Sequence, residues 1–278
     1  FQGKKDLFKG LAIDKLETEW AEYPVFHIDF NGGFFDKDGE LQKRIMGYVE
    51  TWESQWGKDP FNEEIGMRFA YVLKQAHAKT GKRAVVLIDE YDKPLLDVID
   101  TGNKGVLNGE ETKLEDIHRG MLKALYGVFK LADSDLQFVL LTGVTKFSQV
   151  SVFSGFNQPD DISMSGKYEA LCGITKDELL SVFDEPIHEL AAKLRRSYED
   201  TVELLKKKYD GYHFGDEMID IFNPFSILNC FNKLQLRNFW FASGTPSYLV
   251  RLLAHCNENI NELVGKYYDA SQFIDYKA

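Results

Sequence analysis

An uninterrupted apolar run, Ala84-Val85-Val86-Leu87-Ile88, ends in two adjacent carboxylates, Asp89 and Glu90. Such a run suits a strand covered on both faces, and acids at its exit stand where a magnesium-nucleotide site needs them. Asp89 would hold a hydrated Mg²⁺ as a hard oxygen ligand, and Glu90 would polarise or deprotonate the water that attacks a γ-phosphate. The segment therefore reads as a Walker B motif. On an extended strand neighbouring side chains face opposite ways, so both acids can serve one site only where the strand stops and the backbone turns. Asp92 and Pro94 supply residues for that turn. The companion phosphate loop, G-x-x-x-x-G-K-[ST], is missing from the 278 residues.

A second apolar run, residues 138–144, also has a polar exit, formed by Thr142, Thr145 and Lys146. On a strand beside the first, Thr142 would act as a sensor of the γ-phosphate or of the attacking water. Lys146 would offer a cation to phosphate in a dry site. A third strand, residues 25–30, carries Asp29 near its end, where it can converge with Asp89. Other chemistries lack their residues: the six histidines are dispersed and no serine sits in a G-x-S-x-G elbow. His255-Cys256 has no second pair to complete a metal site, and the three cysteines, without C-x-x-C spacing, suggest a reducing cytoplasm rather than a disulfide framework.

These groups need a sheet to hold them. Helices are expected over residues 41–56 and 62–79, the second stopped by Gly81, then over 111–131, where Leu114, Ile117, Met121, Leu122, Leu125, Val128 and Phe129 recur at helical spacing. Residues 100–105 have the composition of an exposed loop. Strands alternating with helices predict an α/β core with a parallel sheet and helices on both faces. Residues 145–173 are less regular, with one further strand expected at 161–164 or 168–172. Thr175 and Glu178 then form a capping box, which places a domain boundary near Gly173. Beyond it helices are expected at 176–195, 199–209, 224–234 behind Asn223, and 245–255, with a turn or hairpin at 209–215 and a short strand at 239–241. The division is thus 1–173, an α/β core, and 174–278, a mostly helical domain.

A formal charge of −11 opposes nonspecific attraction to nucleic acid or anionic lipid. Lys206-Lys207-Lys208, with Lys193, Arg195 and Arg196, is the basic cluster that a nucleic-acid contact would use, and a solvated helix face is its plainer reading. No run is long and apolar enough to cross a bilayer. The chain opens at Phe1 without methionine, which suggests a piece of something longer, although Phe1-Gln2-Gly3 also fits a protease-tag scar.

Taken together, the stretches 4–11 and 25–30, Leu87-Ile88-Asp89-Glu90-Tyr91-Asp92-Lys93-Pro94-Leu95, Leu141-Thr142-Gly143-Val144-Thr145-Lys146-Phe147, Tyr209-Asp210-Gly211-Tyr212-His213-Phe214, Asn223-Pro224-Phe225-Ser226 and 239–246 resemble the bacterial AAA-ATPase-like family abundant in Bacteroides-type gut bacteria. The resemblance covers essentially the whole chain. It implies a P-loop NTPase-like parallel sheet, incomplete at its N-terminus, followed by a helical lid that is winged-helix-like. It implies ATP and Mg²⁺ as cofactors of the intact protein, with Asp89 and Glu90 as Walker B residues and Thr142 as sensor. The missing partners it implies are an upstream phosphate-loop segment and a C-terminal restriction-endonuclease-like domain of the same protein. Without the loop's backbone cradle these residues alone are expected to bind no nucleotide productively and to show no turnover. Two rivals stay open: a non-catalytic interaction scaffold built on an ATPase fold, docking a partner through the aromatic segments 209–214 and 239–241, and the regulatory part of a nucleic-acid-processing protein.

Overall fold

The computed structural model describes residues 1–144, 159–210, 213–215 and 219–239. The chain divides into a unit within Phe1–Pro159 and a unit within Asp160–Asn259. The irregular stretch 160–173 therefore sits with the second unit rather than with the sheet.

In the first unit a 3₁₀ turn and the short helix α1 (Ala12–Leu16) precede strand β1 (Val25–Asp29). Helices α2 (Glu40–Trp56) and α3 (Ile65–Thr80) lead to β2 (Ala84–Asp89), and the single turn α4 (Lys93–Leu96) follows. A hairpin, β3 (Lys104–Leu107) and β4 (Glu110–Lys113), then runs into α5 (Leu114–Leu131) and β5 (Leu136–Leu141). The three long strands form one parallel sheet in the order β1-β2-β5.

Alternation along the strands sorts their side chains. Phe26, Ile28, Ala84, Val86 and Ile88 enter one core with Ile45 and Trp52 of α2, Phe69 and Leu73 of α3, and Leu125 and Phe129 of α5. Phe26, Trp52 and Phe69 pack within it at centroid distances of 5.1 to 6.1 Å, Trp52 stacked on Phe69 and Phe26 edge-to-face with both. Residues on the alternate register of the two outer strands are wetter: His27 is exposed, Phe138 is 42% exposed and Leu140 36%, although Val85 of the central strand is fully buried. Helices on both faces were expected; among the described residues α2, α3 and α5 share a single core, built on one face.

A buried ion pair ties α2 to α3. Arg68 donates from Nε and Nη2 to Glu53 at 2.8 and 2.7 Å, and the guanidinium holds the Glu53 carboxyl below its ordinary range. Two-point contact of this kind gives direction as well as attraction.

The helix expected at 111–131 begins only at Leu114, because Asn108 and Gly109 both adopt positive φ, +54° and +86°, and close a two-residue hairpin. Asn-Gly suits that turn, so residues 104–113 pair as strands instead of extending a loop and a helix. The β5 strand runs from Leu136 to Leu141, two residues ahead of the expected 138–144 at its start and three short at its end.

The second unit is mostly helical among its described residues: α6 (Lys176–Val182), α7 (Asp184–Leu194), α8 (Tyr198–Tyr209) and α9 (Pro224–Lys233). Among the described residues its one ladder pairs β6 (Ile174–Thr175) with β7 (Ile221–Phe222), in place of a strand at 161–164 or 168–172. The helix expected over 176–195 breaks at Phe183, since Pro186 has no N–H to donate to the Val182 carbonyl. Thr175 and Glu178 form the capping box, and the Asn223 side chain accepts the Ser226 N–H at 2.9 Å. Ile187, Leu190, Leu205, Phe222, Ile227 and Cys230 fill its own core. The elements expected at 239–241 and 245–255 lie outside the described residues, except for Phe239.

Candidate functional site

The site begins with a register. Asp29 and Asp89 are paired neighbours at the ends of β1 and β2, so the two strands deliver both carboxylates to the same edge of the sheet. Asp29 is fixed from two sides. Its backbone N–H donates to Tyr48 Oη at 3.1 Å, the Tyr48 hydroxyl donates back to its carbonyl at 3.0 Å, and its Oδ1 accepts the Asn31 N–H at 2.7 Å.

On the other side of β2, Thr142 continues the ladder beyond β5. Its N–H donates to the Ile88 carbonyl and its own carbonyl accepts the Tyr91 N–H, both at 2.9 Å. The pairing puts its hydroxyl against Asp89, to which Oγ1 donates at 2.5 Å. Hydrogen bonds between a hydroxyl and a carboxylate are short and charge-assisted. Asp89 stays exposed, with its second oxygen unassigned to any described partner.

The chain must turn at once after Asp89, and it does so at Glu90, whose φ is +55°. A non-glycine residue in the left-handed region is costly and clusters at functional turns. The turn removes the alternation that would otherwise send Glu90 to the opposite face from Asp89. Glu90 is half-buried, and burial, followed by the fields of Asp92 and Asp89, raises its pKa above the ordinary glutamate range, against a smaller opposing pull from Lys93. A carboxylate so placed is more basic than a solvated one, which suits proton abstraction from water.

Asp92 supports this turn from beneath. It is fully buried; Oδ2 accepts the Val144 N–H at 3.0 Å, and its carbonyl accepts the N–H groups of Leu95 and Leu96 as α4 begins. Tyr126 in α5 donates to the Tyr91 carbonyl at 3.0 Å, while burial holds its phenol far above the ordinary range. Gly143 has to be small: a Cβ there would lie 2.6 Å from Asp92 Oδ1 and 2.6 Å from the Tyr91 ring. The sequence pointed to Asp92 only as turn material. Its clue was an acid four residues past the strand's last apolar residue and two before a proline, and nothing in spacing alone tells a buried brace from a solvated turn.

The structure thus brings Asp89 and Thr142 into contact, sets Glu90 next to them on a left-handed turn, and adds Asp29 from β1. Lys146 and Thr145 lie outside the described residues. The donor set, exposed carboxylate, half-buried carboxylate and hydroxyl, is all hard oxygen, which fits Mg²⁺ rather than a softer metal. In the second unit Lys206 pairs with Asp220 at 2.6 Å, so one cation of the basic cluster is already engaged, and Lys206 to Lys208 close α8, where cations suit the helix dipole. Asp210, His213 and Asp220 come within 4.8 Å of one another there, with the Lys206 ammonium already on Asp220. Among the described residues no helix is long and apolar enough to cross a membrane.

Comparison with known proteins bears on the family. No solved structure matches the chain. A curated relative, "Uncharacterized protein in vnfD 5'region" of Azotobacter chroococcum mcd 1, is 36% identical over 254 residues, which are 91% of this chain and 45% of the relative. The chain therefore spans less than half the length of that relative. A family model described as "Predicted AAA-ATPase" matches residues 1–153, the stretch that carries the sheet, Asp29, Asp89, Glu90 and Thr142. With an α/β core consistent with a P-loop-like fold and more than half of its length matched, the chain belongs to this AAA-ATPase-like family.

Proposed function

We propose that Asp89, Glu90 and Thr142 are the Walker B and sensor end of a Mg-ATP hydrolysis site in the intact protein. The observation that carries this reading is the Thr142 to Asp89 hydrogen bond beside a left-handed, basic Glu90. Bound Mg-ATP supplies the electrophilic γ-phosphate. Asp89 would hold the hydrated metal through its exposed carboxylate, Thr142 fixes the rotamer of Asp89 and presents a hydroxyl at the γ-phosphate end, and Glu90 would orient the attacking water and accept its proton as the water oxygen bonds to the γ-phosphorus and ADP leaves. Lys146, four residues beyond Thr142, is assigned to phosphate contact. The protein would work in the cytoplasm.

The phosphate loop has to come from sequence outside these 278 residues, which contain none. Two features of the sheet favour its arrival next to β5. That strand, like β1, is an edge among the described residues, and Phe138 and Leu140, on the register away from the helical core, are partly exposed, Phe138 stacking on Phe1 at 5.4 Å. A parallel strand and its following helix would cover both the edge and the wetter face. The helical second unit is assigned as the lid whose movement follows nucleotide state, and the 55% of the relative outside the alignment leaves room for an attached effector domain, such as a nuclease-like one.

The test is ATP turnover by this chain and by a chain extended upstream by about 60 residues, room for a strand, a phosphate loop and a helix at ordinary lengths. The shorter chain should be inactive, and the longer one should turn over ATP in a manner that Glu90→Gln abolishes. The scaffold reading takes over if the upstream sequence holds no glycine-rich Lys-Ser or Lys-Thr loop.

A further inference from the structure

A cavity of about 550 Å³ lies between the loop that follows β1 and α2 from Glu40 to Thr51. Its walls include Gly32, Gly33, Phe34, Lys43, Arg44 and Thr51. Arg44 is half-buried and has no carboxylate within ion-pair distance among the described residues. A partly desolvated guanidinium without a counter-charge is a cost that an anion would remove.

The loop is shaped around that cation. A Cβ on Gly33 would sit 2.9 Å from Arg44 Nη2, and one on Gly32 would sit 3.7 Å from the same atom. The Gly33 backbone thus lies against the guanidinium, and a side chain there would have to push the end of Arg44 aside, whereas one at Gly32 would only make ordinary contact. The loop is also anchored: the Phe35 N–H donates to Asp97 Oδ2 at 3.1 Å, the Phe35 ring is buried against Phe30, and Asn103 Nδ2 donates to the Asp36 carbonyl at 2.9 Å. Between these anchors Phe34 stands 80% exposed, although its neighbour Phe35 is buried. A large exposed ring on a tethered loop, with the Lys93 ammonium 5.3 Å from its centroid and an arginine without an ion-pair partner among the described residues lining the same cavity, suits a ligand that is planar at one end and anionic at the other.

We infer that this cavity binds a mononucleotide-type ligand, with a phosphate on Arg44 and Lys43 and a planar ring against Phe34. The volume admits one nucleotide. Lys43 and Arg44 outnumber the single acid of the lining, Glu40. A polymer of nucleotides is disfavoured, because a chain of net charge −11 repels a polyanion at every contact outside the cavity. The assignment does not depend on the Asp89 and Glu90 reading: it needs neither Mg²⁺ nor a phosphate loop. Tyr48, which also lines the cavity, is the residue that pins Asp29, so the second site touches the frame of the first.

The experiment is calorimetric titration of the 278-residue chain with AMP in EDTA, with inorganic phosphate and a short single-stranded oligonucleotide as parallel probes. Saturable one-to-one AMP binding is expected. Arg44→Gln should weaken it by about tenfold or more, as loss of a charge-assisted contact would, and Phe34→Ala by several fold. Thermal unfolding of each variant checks that the fold is retained, and Arg44→Lys, which keeps the charge, should recover part of the affinity. Asp89→Asn should leave AMP binding unchanged, which separates this site from the hydrolytic one. No AMP binding, or binding indifferent to Arg44→Gln, overturns the proposal. Phosphate binding as tightly as AMP with Phe34→Ala silent overturns the ring contact, and tighter binding of the oligonucleotide overturns the mononucleotide.

Discussion

Thr142 Oγ1 and Asp89 Oδ1 meet at 2.5 Å across the β2–β5 boundary, so the two strand ends singled out by their polar exits are in direct contact. The bond engages one carboxylate oxygen of Asp89, and in the proposed site the other would face the metal. In an active extended chain, Thr142→Val should lower turnover by roughly tenfold or more while nucleotide binding changes little, since a hydroxyl-to-carboxylate bond contributes about 1.5–3 kcal/mol. Steady-state kinetics beside equilibrium nucleotide binding would check the split.

Glu90 makes stability depend on pH with a definite sign. Its folded pKa is raised, so between the ordinary glutamate value near 4.5 and the raised one the native state holds more protons than the unfolded state, and stability falls as pH rises through that window. Glu90→Gln cannot ionise. It should unfold at a higher temperature than the parent chain at pH 7 to 8, with the gain vanishing below about pH 4, where Glu90 is protonated in both states. Paired melting curves across that range provide the comparison.

Gly143→Ala should destabilise the site from within. The added Cβ would press on Asp92 Oδ1 and the Tyr91 ring, each at 2.6 Å, so the loop must shift. A loss of about 1–3 kcal/mol is expected from overpacking. Denaturant unfolding measures the loss, and hydrogen exchange at the Val144 amide, bonded to Asp92 in the parent, should speed up locally.

Arg68→Leu leaves Glu53 buried without its bidentate partner. Breaking one half of a buried pair costs about 3–5 kcal/mol, whereas replacing both halves by apolar groups, as in Arg68→Leu with Glu53→Leu, should recover much of it. Urea midpoints of the single and double variants test this coupling between α2 and α3.

What could be read in advance follows a physical pattern. The strand of Ala84 to Ile88 and the helix from Leu114 onward carry strong apolar periodicity, and both formed. The pairing of Asp89 with Thr142 was foreseeable because two apolar runs with polar exits, joined by a helix, favour adjacent parallel strands. Asn108-Gly109 was also legible as a hairpin turn, but the helical spacing downstream of Leu114 masked it. Asp92 was not legible: whether an acid just past a strand faces water or braces a loop depends on the Val144 amide, which is 52 residues away. The open cavity at Arg44 was equally hidden, because it arises from the loop's tether to Asp97 and not from any local pattern.

The central claim is that Asp89, Glu90 and Thr142 form the hydrolytic end of a nucleotide site that needs a phosphate loop from outside these residues. The direct measurement is phosphate release from ATP by the upstream-extended chain, with and without Glu90→Gln. The account predicts Mg²⁺-dependent turnover by the extended chain, a fall of about a hundredfold or more on substitution, and no turnover by the 278-residue chain. Turnover that survives Glu90→Gln, or that the shorter chain already shows, would contradict it.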